Sequence, residues 1–180
     1  MPLAWAIVVI ALWLVVVCLA VVVLGILRQV TAHLQSAPRR PQVRMGPKPG
    51  TPVPGFTGHD TDGMPFTDAQ LRGQPNVLLF LSSGCGPCQK LAGEMRGAGP
   101  GELPGSLTVV TDPGGAEALQ LPAGLRVVVD PARDIADVLE VPGRPFAIAV
   151  AEDGIIRATR VPNTLAELSM LAGRVMSAVP

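Results

Sequence analysis

Val77-Leu78-Leu79-Phe80-Leu81-Ser82-Ser83-Gly84-Cys85-Gly86-Pro87-Cys88-Gln89-Lys90 is the stretch on which the reading of this 180-residue chain turns. Its first five residues form an unbroken apolar run, the pattern of a strand buried on both faces. Two serines and a glycine follow. From Pro87 to about Arg96 the sequence suits a helix whose Leu91, Ala92 and Met95 face inward. At the junction of strand and helix stand Cys85 and Cys88, two of the three cysteines in the chain.

That placement suits thiol–disulfide exchange. A thiol attacks a disulfide only as thiolate, so one sulfur must be acidic and reachable. A helix starting just after Cys85 offers free backbone N–H groups and the positive end of its dipole. Cys88, one turn on, can return to break a mixed disulfide. Pro87 fits the first helical turn, where its missing N–H costs nothing, and Lys90 adds a positive charge nearby. A zinc site is the competing use of Cys-x-x-Cys, but zinc needs four ligands, and His33 and His59 stand alone. A purely structural disulfide would close too short a loop to restrain the unfolded chain much.

The N-terminus carries the second strong signal. Residues 3–27 contain no charge and are nearly all Val, Leu, Ile, Ala or Trp. At about 1.5 Å per residue this run exceeds the roughly 30 Å hydrocarbon core, so a single tilted transmembrane helix is expected over residues 1–28. A cleaved signal peptide is the alternative. The run is far longer than a signal h-region, lacks a preceding Lys or Arg, and ends without a small-x-small site. Cys18, in mid-span, reads as apolar packing. Residues 28–36 could prolong the helix along the interface, and six prolines between 37 and 55 make residues 29–55 a semi-extended basic tether. The remaining 56–180 suit one compact domain.

All fourteen acidic residues lie at Asp60 or beyond, whereas Arg28, Arg39, Arg40, Arg44 and Lys48 precede it. The tether is thus positive, suited to anionic lipid, and the domain carries a formal −5. Tyr is absent and aromatics are 3% of the chain, so base stacking and nucleic-acid binding are not expected. No glycine fingerprint, P-loop or haem-attachment Cys-x-x-Cys-His occurs, so neither a cofactor nor a metal is expected.

Beyond the cysteines, strands are expected at 107–110 and 126–129, with short helices at 117–120 and 132–139. Asp62-Gly63 and Asp153-Gly154 mark hairpin turns, the second joining strands over 146–151 and 155–160. Asn163 or Thr164 caps a closing helix with Leu165, Leu168, Ala172 and Val175 on one face. The alternation gives an α/β fold, a central sheet with helices on both faces.

Cys-Gly-Pro-Cys after a buried strand, with Val141-Pro142-Gly143-Arg144-Pro145-Phe146 ahead of the final hairpin, resembles the thioredoxin superfamily. The resemblance implies a mixed central sheet and a cis bond before Pro145, packed against the cysteines. The anchor, the Gly25-Ile26-Leu27-Arg28-Gln29-Val30 segment leaving it, the Pro-rich tether and Pro54-Gly55-Phe56 are similar to membrane-anchored proteins of the TlpA/ResA type. The layout looks most like the methylamine dehydrogenase accessory (MauD-like) branch. That implies a single-pass membrane protein with an extracytoplasmic oxidoreductase domain. The basic residues after the span argue for the cytoplasmic side by the positive-inside rule. Disulfide chemistry argues against it, and we take the latter.

The expected roles are Cys85 as attacking sulfur and Cys88 as resolving sulfur, with Gly86, Pro87, Arg144 and Pro145 shaping the client groove. Partners would be cysteine-bearing client proteins, the membrane and a membrane redox partner. The enzyme would form, shuffle or reduce client disulfides during maturation. An apocytochrome-directed reductase and a non-catalytic tethered assembly factor are the other readings. Four positions depart from the resembled pattern: Leu79 replaces a buried Asp, Gly84 a Trp, Leu91 a Glu, and Arg144 a small or β-branched residue. A missing carboxylate and an added guanidinium both favour the Cys85 thiolate, and so a more oxidising disulfide.

Overall fold

The computed structural model describes residues 12–14, 16–19, 46–99 and 101–176, with the Met176 side chain set aside. The expected span and most of the tether lie outside the described residues, apart from helical pieces at 12–14 and 16–19. Among the described residues no helix is long and apolar enough to cross a membrane.

The strands are β1 (Thr57–Asp60), β2 (Pro65–Thr67), β3 (Asn76–Phe80), β4 (Leu107–Thr111), β5 (Arg126–Val129), β6 (Phe146–Val150) and β7 (Ile156–Arg160). They form one sheet in the order β2-β1-β5-β4-β3-β6-β7. β3, β4 and β5 run parallel, whereas β6 lies antiparallel to β3, with Phe146 opposite Phe80. That register brings the start of β6 to the carboxyl ends of β3 and β4, where the loop bearing Cys85 emerges.

Every residue of β3, β4 and β6 is buried, so these strands are covered on both faces and are mainly apolar, with Asn76, Thr108 and Thr111 as buried polar residues. Alternation sends their side chains to two cores. On one face Leu79, Leu81, Val109, Ala147 and Ala149 meet helices α1 (Gly86–Gly97) and α4 (Leu165–Met176) through Leu91, Met95, Leu168 and Val175. On the other, Leu78, Phe80, Val110 and Ile148 meet Phe56, Phe66, Leu71 and α3 (Asp134–Val138). On β6 the small Ala147 and Ala149 face the core of α1 and α4, while Phe146, Ile148 and Val150 face the opposite core.

Two helices begin elsewhere than the sequence suggests. α2 spans Gly115–Ala118 instead of 117–120, because Gly114, at φ 71°, turns the chain early. Gln120, at φ 51°, then takes a left-handed turn after it. α3 starts at Asp134 instead of 132, because the buried Asp130 carboxylate accepts the N–H groups of Ile135 and Ala136 at 3.2 and 3.0 Å. The closing helix is capped by Thr164, whose hydroxyl accepts the Glu167 N–H. Residues 50–53 lie against the last hairpin: Gly50 N–H donates to Ile156 O and Val53 N–H to Gly154 O.

Candidate active site

Cys85 is the N-cap of α1. Its extended backbone (φ −103°, ψ 113°) lets Sγ turn back over the first helical turn and accept the Cys88 N–H at 3.3 Å. Sulfur here fills the place a Ser or Asp oxygen takes at an ordinary cap. Pro87, in the first turn, has no N–H to leave unpaired. Cys85 and Cys88 form a disulfide with their Cα atoms 5.2 Å apart. The two sulfurs live in different environments. Cys88 is fully buried among Leu91 and Leu79, whereas Cys85 is only partly covered.

The loop ahead of Cys85 is bonded in place. Cys85 N–H donates to Ser82 O at 3.2 Å, and the Gln89 side chain donates to Ser83 O at 2.8 Å. Asp112, just past the end of β4, does most of the holding. Its carboxylate accepts the Ser83 N–H at 3.2 Å, the Ser83 hydroxyl at 2.9 Å, the Ser82 hydroxyl at 3.3 Å and the Thr111 hydroxyl at 2.9 Å. Partial burial would raise the Asp112 pKa. The hydrogen bonds from Thr111 and Ser83 outweigh it, and the carboxyl sits below its ordinary value.

The Arg144–Pro145 peptide bond is cis, as expected, and Pro145 is buried. This loop brings the Arg144 carbonyl oxygen to 3.3 Å from Cys85 Sγ, where the reduced thiol would donate to it. It is the main chain of Arg144 that meets the sulfur. The guanidinium is partly buried, and its Nε and Nη2 have no hydrogen-bond partner. Burial first, and then Arg133, push its pKa below the ordinary value, while Asp112 and Asp130 pull it back. Arg144 therefore stands at the carboxyl edge of the sheet, in the field of residues from the ends of β4 and β5.

Of the sequence-derived site residues, Cys85, Gly86, Pro87, Cys88, Arg144 and Pro145 are all brought to this edge. Gly84 and Gly86 are exposed, and a Cβ at either would meet nothing within 4 Å. Lys90 is exposed. Leu79 and Leu91 are buried, so neither position offers a carboxylate to the pair. Among the described residues no cluster of His, Cys, Asp or Glu could hold a metal. Asp112 escaped the sequence reading. Its one signal was position, an acid at the carboxyl end of a buried strand, where parallel sheets place functional groups.

No family model matches the chain. The methylamine utilization protein MauD of Paracoccus denitrificans is 30% identical to it over 170 residues, 90% of this chain and 84% of that protein. The chain belongs to the MauD family. MauD of Methylobacillus flagellatus is 29% identical over 160 residues, 85% of this chain and 78% of its own length. A solved structure, a putative thiol:disulfide interchange protein DsbE from Chlorobium tepidum, superposes with a TM-score of 0.60 at 21% identity. It covers 73% of this chain and 98% of its own. That likeness establishes the thioredoxin-like fold of this MauD-family chain. With the Cys85–Cys88 disulfide at the strand–helix junction, the MauD-family chain is a thiol–disulfide oxidoreductase.

Proposed function

We propose that this MauD-family protein is anchored in the cell membrane by one helix within residues 1–28, linked through the tether at 29–55 to an extracytoplasmic domain over 56–180. There it exchanges disulfides with client proteins during their maturation. The observation that carries the exchange reading is the unequal exposure of the pair, with Cys88 at 0% and Cys85 partly open beside a cis-proline. Of the pair, it is Cys85 whose sulfur is open to another protein. The apolar run over residues 3–27 supports the anchor. The name of the MauD relatives suggests that the clients belong to methylamine utilization.

In the oxidised enzyme, a client thiolate attacks Cys85 Sγ. The Cys85–Cys88 bond breaks, a mixed disulfide forms, and Cys88 leaves as thiolate. A second client thiolate then attacks the client sulfur and releases Cys85. The client gains one disulfide and the enzyme pair takes up two electrons, which a membrane redox partner removes. Every step is reversible, so the reduced pair can also open a client disulfide. The departing Cys85 sulfur is received by the Cys88 N–H and the start of α1.

The test is thiol trapping in intact cells with a membrane-impermeant reagent, before and after an impermeant reductant. Labelling of Cys85 only after reduction supports an external, oxidised pair. No labelling under either condition while lysed cells label would put the domain inside and sink the proposed orientation. Full function of a Cys85→Ser/Cys88→Ser double variant would favour the assembly-factor reading instead.

A further inference from the structure

Leu79, buried in the same core as Cys88, offers the cysteine pair no carboxylate. A carboxylate from the end of β4 reaches the loop before Cys85 instead. Asp112 takes four hydrogen bonds, three of them from Ser82 and Ser83, the residues that lead into Cys85. On the other side of that loop stands Arg144. Its carbonyl oxygen lies 3.3 Å from Cys85 Sγ, and its guanidinium is within the field of Asp112. Its Nε and Nη2 are buried and unpartnered, so the charge is not quenched by a direct ion pair at those atoms.

We propose that Asp112 is a positioning residue and charge counterweight for the cysteine pair. It pins the 82–84 loop and offsets the Arg144 guanidinium, so that the Cys85 thiolate is less stabilised than Arg144 alone would make it. The proposal rests on the exchange reading above and adds how its redox poise is set. The charged groups acting on Arg144, in the loop before β6, are Asp112 from the end of β4 and Asp130 and Arg133 from the segment after β5, and Lys90 stands exposed on α1. Asp130 is already committed to the α3 backbone. Asp112 is the acid bound to the redox loop itself.

The two charges have opposite effects on one sulfur, which makes the proposal testable by sign. In the full-length chain, the Cys85 pKa is read from thiolate absorbance and the redox poise from equilibrium with glutathione. Asp112→Asn keeps the size of the side chain and an acceptor for the Ser83 N–H but removes the charge. It is expected to lower the Cys85 pKa by about half a unit and to shift the glutathione equilibrium about threefold toward the reduced pair. Arg144→Gln is expected to move both the other way, and in the double variant the two opposite shifts should largely cancel.

An unchanged or raised Cys85 pKa in Asp112→Asn, with only its melting temperature lowered, overturns the counterweight role. Ser83→Ala weakens the tether and keeps the charge, so a shift from it as large as that from Asp112→Asn also overturns it. Should Asp112→Asn fail to fold, Arg144→Gln decides, and an unmoved Cys85 pKa there sinks the idea. A wild-type pair that does not exchange with glutathione at all would bring down the exchange reading together with this proposal. Normal exchange with an unresponsive Asp112 would bring down this proposal alone.

Discussion

At the scale of single residues, the site works by treating two identical side chains differently. Cys85 caps a helix and stays open, whereas Cys88, one turn on, lies in the apolar core. Cys85→Ser is therefore expected to reduce exchange to the uncatalysed level. Cys88→Ser cannot form the internal disulfide, but its Cys85 thiolate can still attack a client disulfide, so mixed disulfides should accumulate, visible on non-reducing gels and cleared by reductant. Asp112 adds a pH dependence whose sign follows from its lowered pKa. A carboxyl held below its unfolded value, about 3.9, stabilises the fold fully above that value. The contribution is lost as pH falls through the lower folded value. Thermal melts of wild type and Asp112→Asn should thus differ at neutral pH and converge in acid, once the pH has fallen through the lowered folded value.

At the scale of elements, α1 is held by what its inner face buries, and its start sets the cysteines. Leu91 is fully buried against β3, so Leu91→Ala is expected to cost about 2–5 kcal/mol in a denaturant titration. α3 depends on a single side chain instead. Asp130→Ala would leave two buried N–H groups without their acceptor, for a loss of about 1–2 kcal/mol. β3 and the inward face of α1 were legible because an unbroken apolar run and a 3.6-residue spacing each answer to local rules. The start of α3 was not, since it depends on a carboxylate several residues upstream that burial has made into a cap. The start of α2 hung on Gly114, one of eight glycines with positive φ among the described residues, and nothing in the sequence sets it apart from the other seven.

At the scale of the whole molecule, the order of strands matters more than any one of them. β6 runs antiparallel beside β3, and this carries Arg144 and Pro145 to Cys85 across 59 residues of sequence. β4, on the other side of β3, delivers Asp112 to Ser83 across 29. If the apolar run over 3–27 is an anchor, the full-length protein should sediment with membranes and resist extraction by high salt and carbonate. A chain beginning at residue 43 should appear in the soluble fraction.

The cysteine pair, the strand before it and the helix after it were written in the sequence as local signals carried by adjacent residues, whereas the proline facing the pair was expected from the family resemblance. The sequence also carried the apolar N-terminal run, whose length and lack of charge can be counted directly. Only the tertiary structure decided which atom of Arg144 meets the sulfur, how deeply Cys88 is buried, and that Asp112 holds the redox loop. Those facts depend on which strands lie side by side. Strand order follows from packing two cores on opposite faces of one sheet, a property of the whole chain that no short stretch of it records.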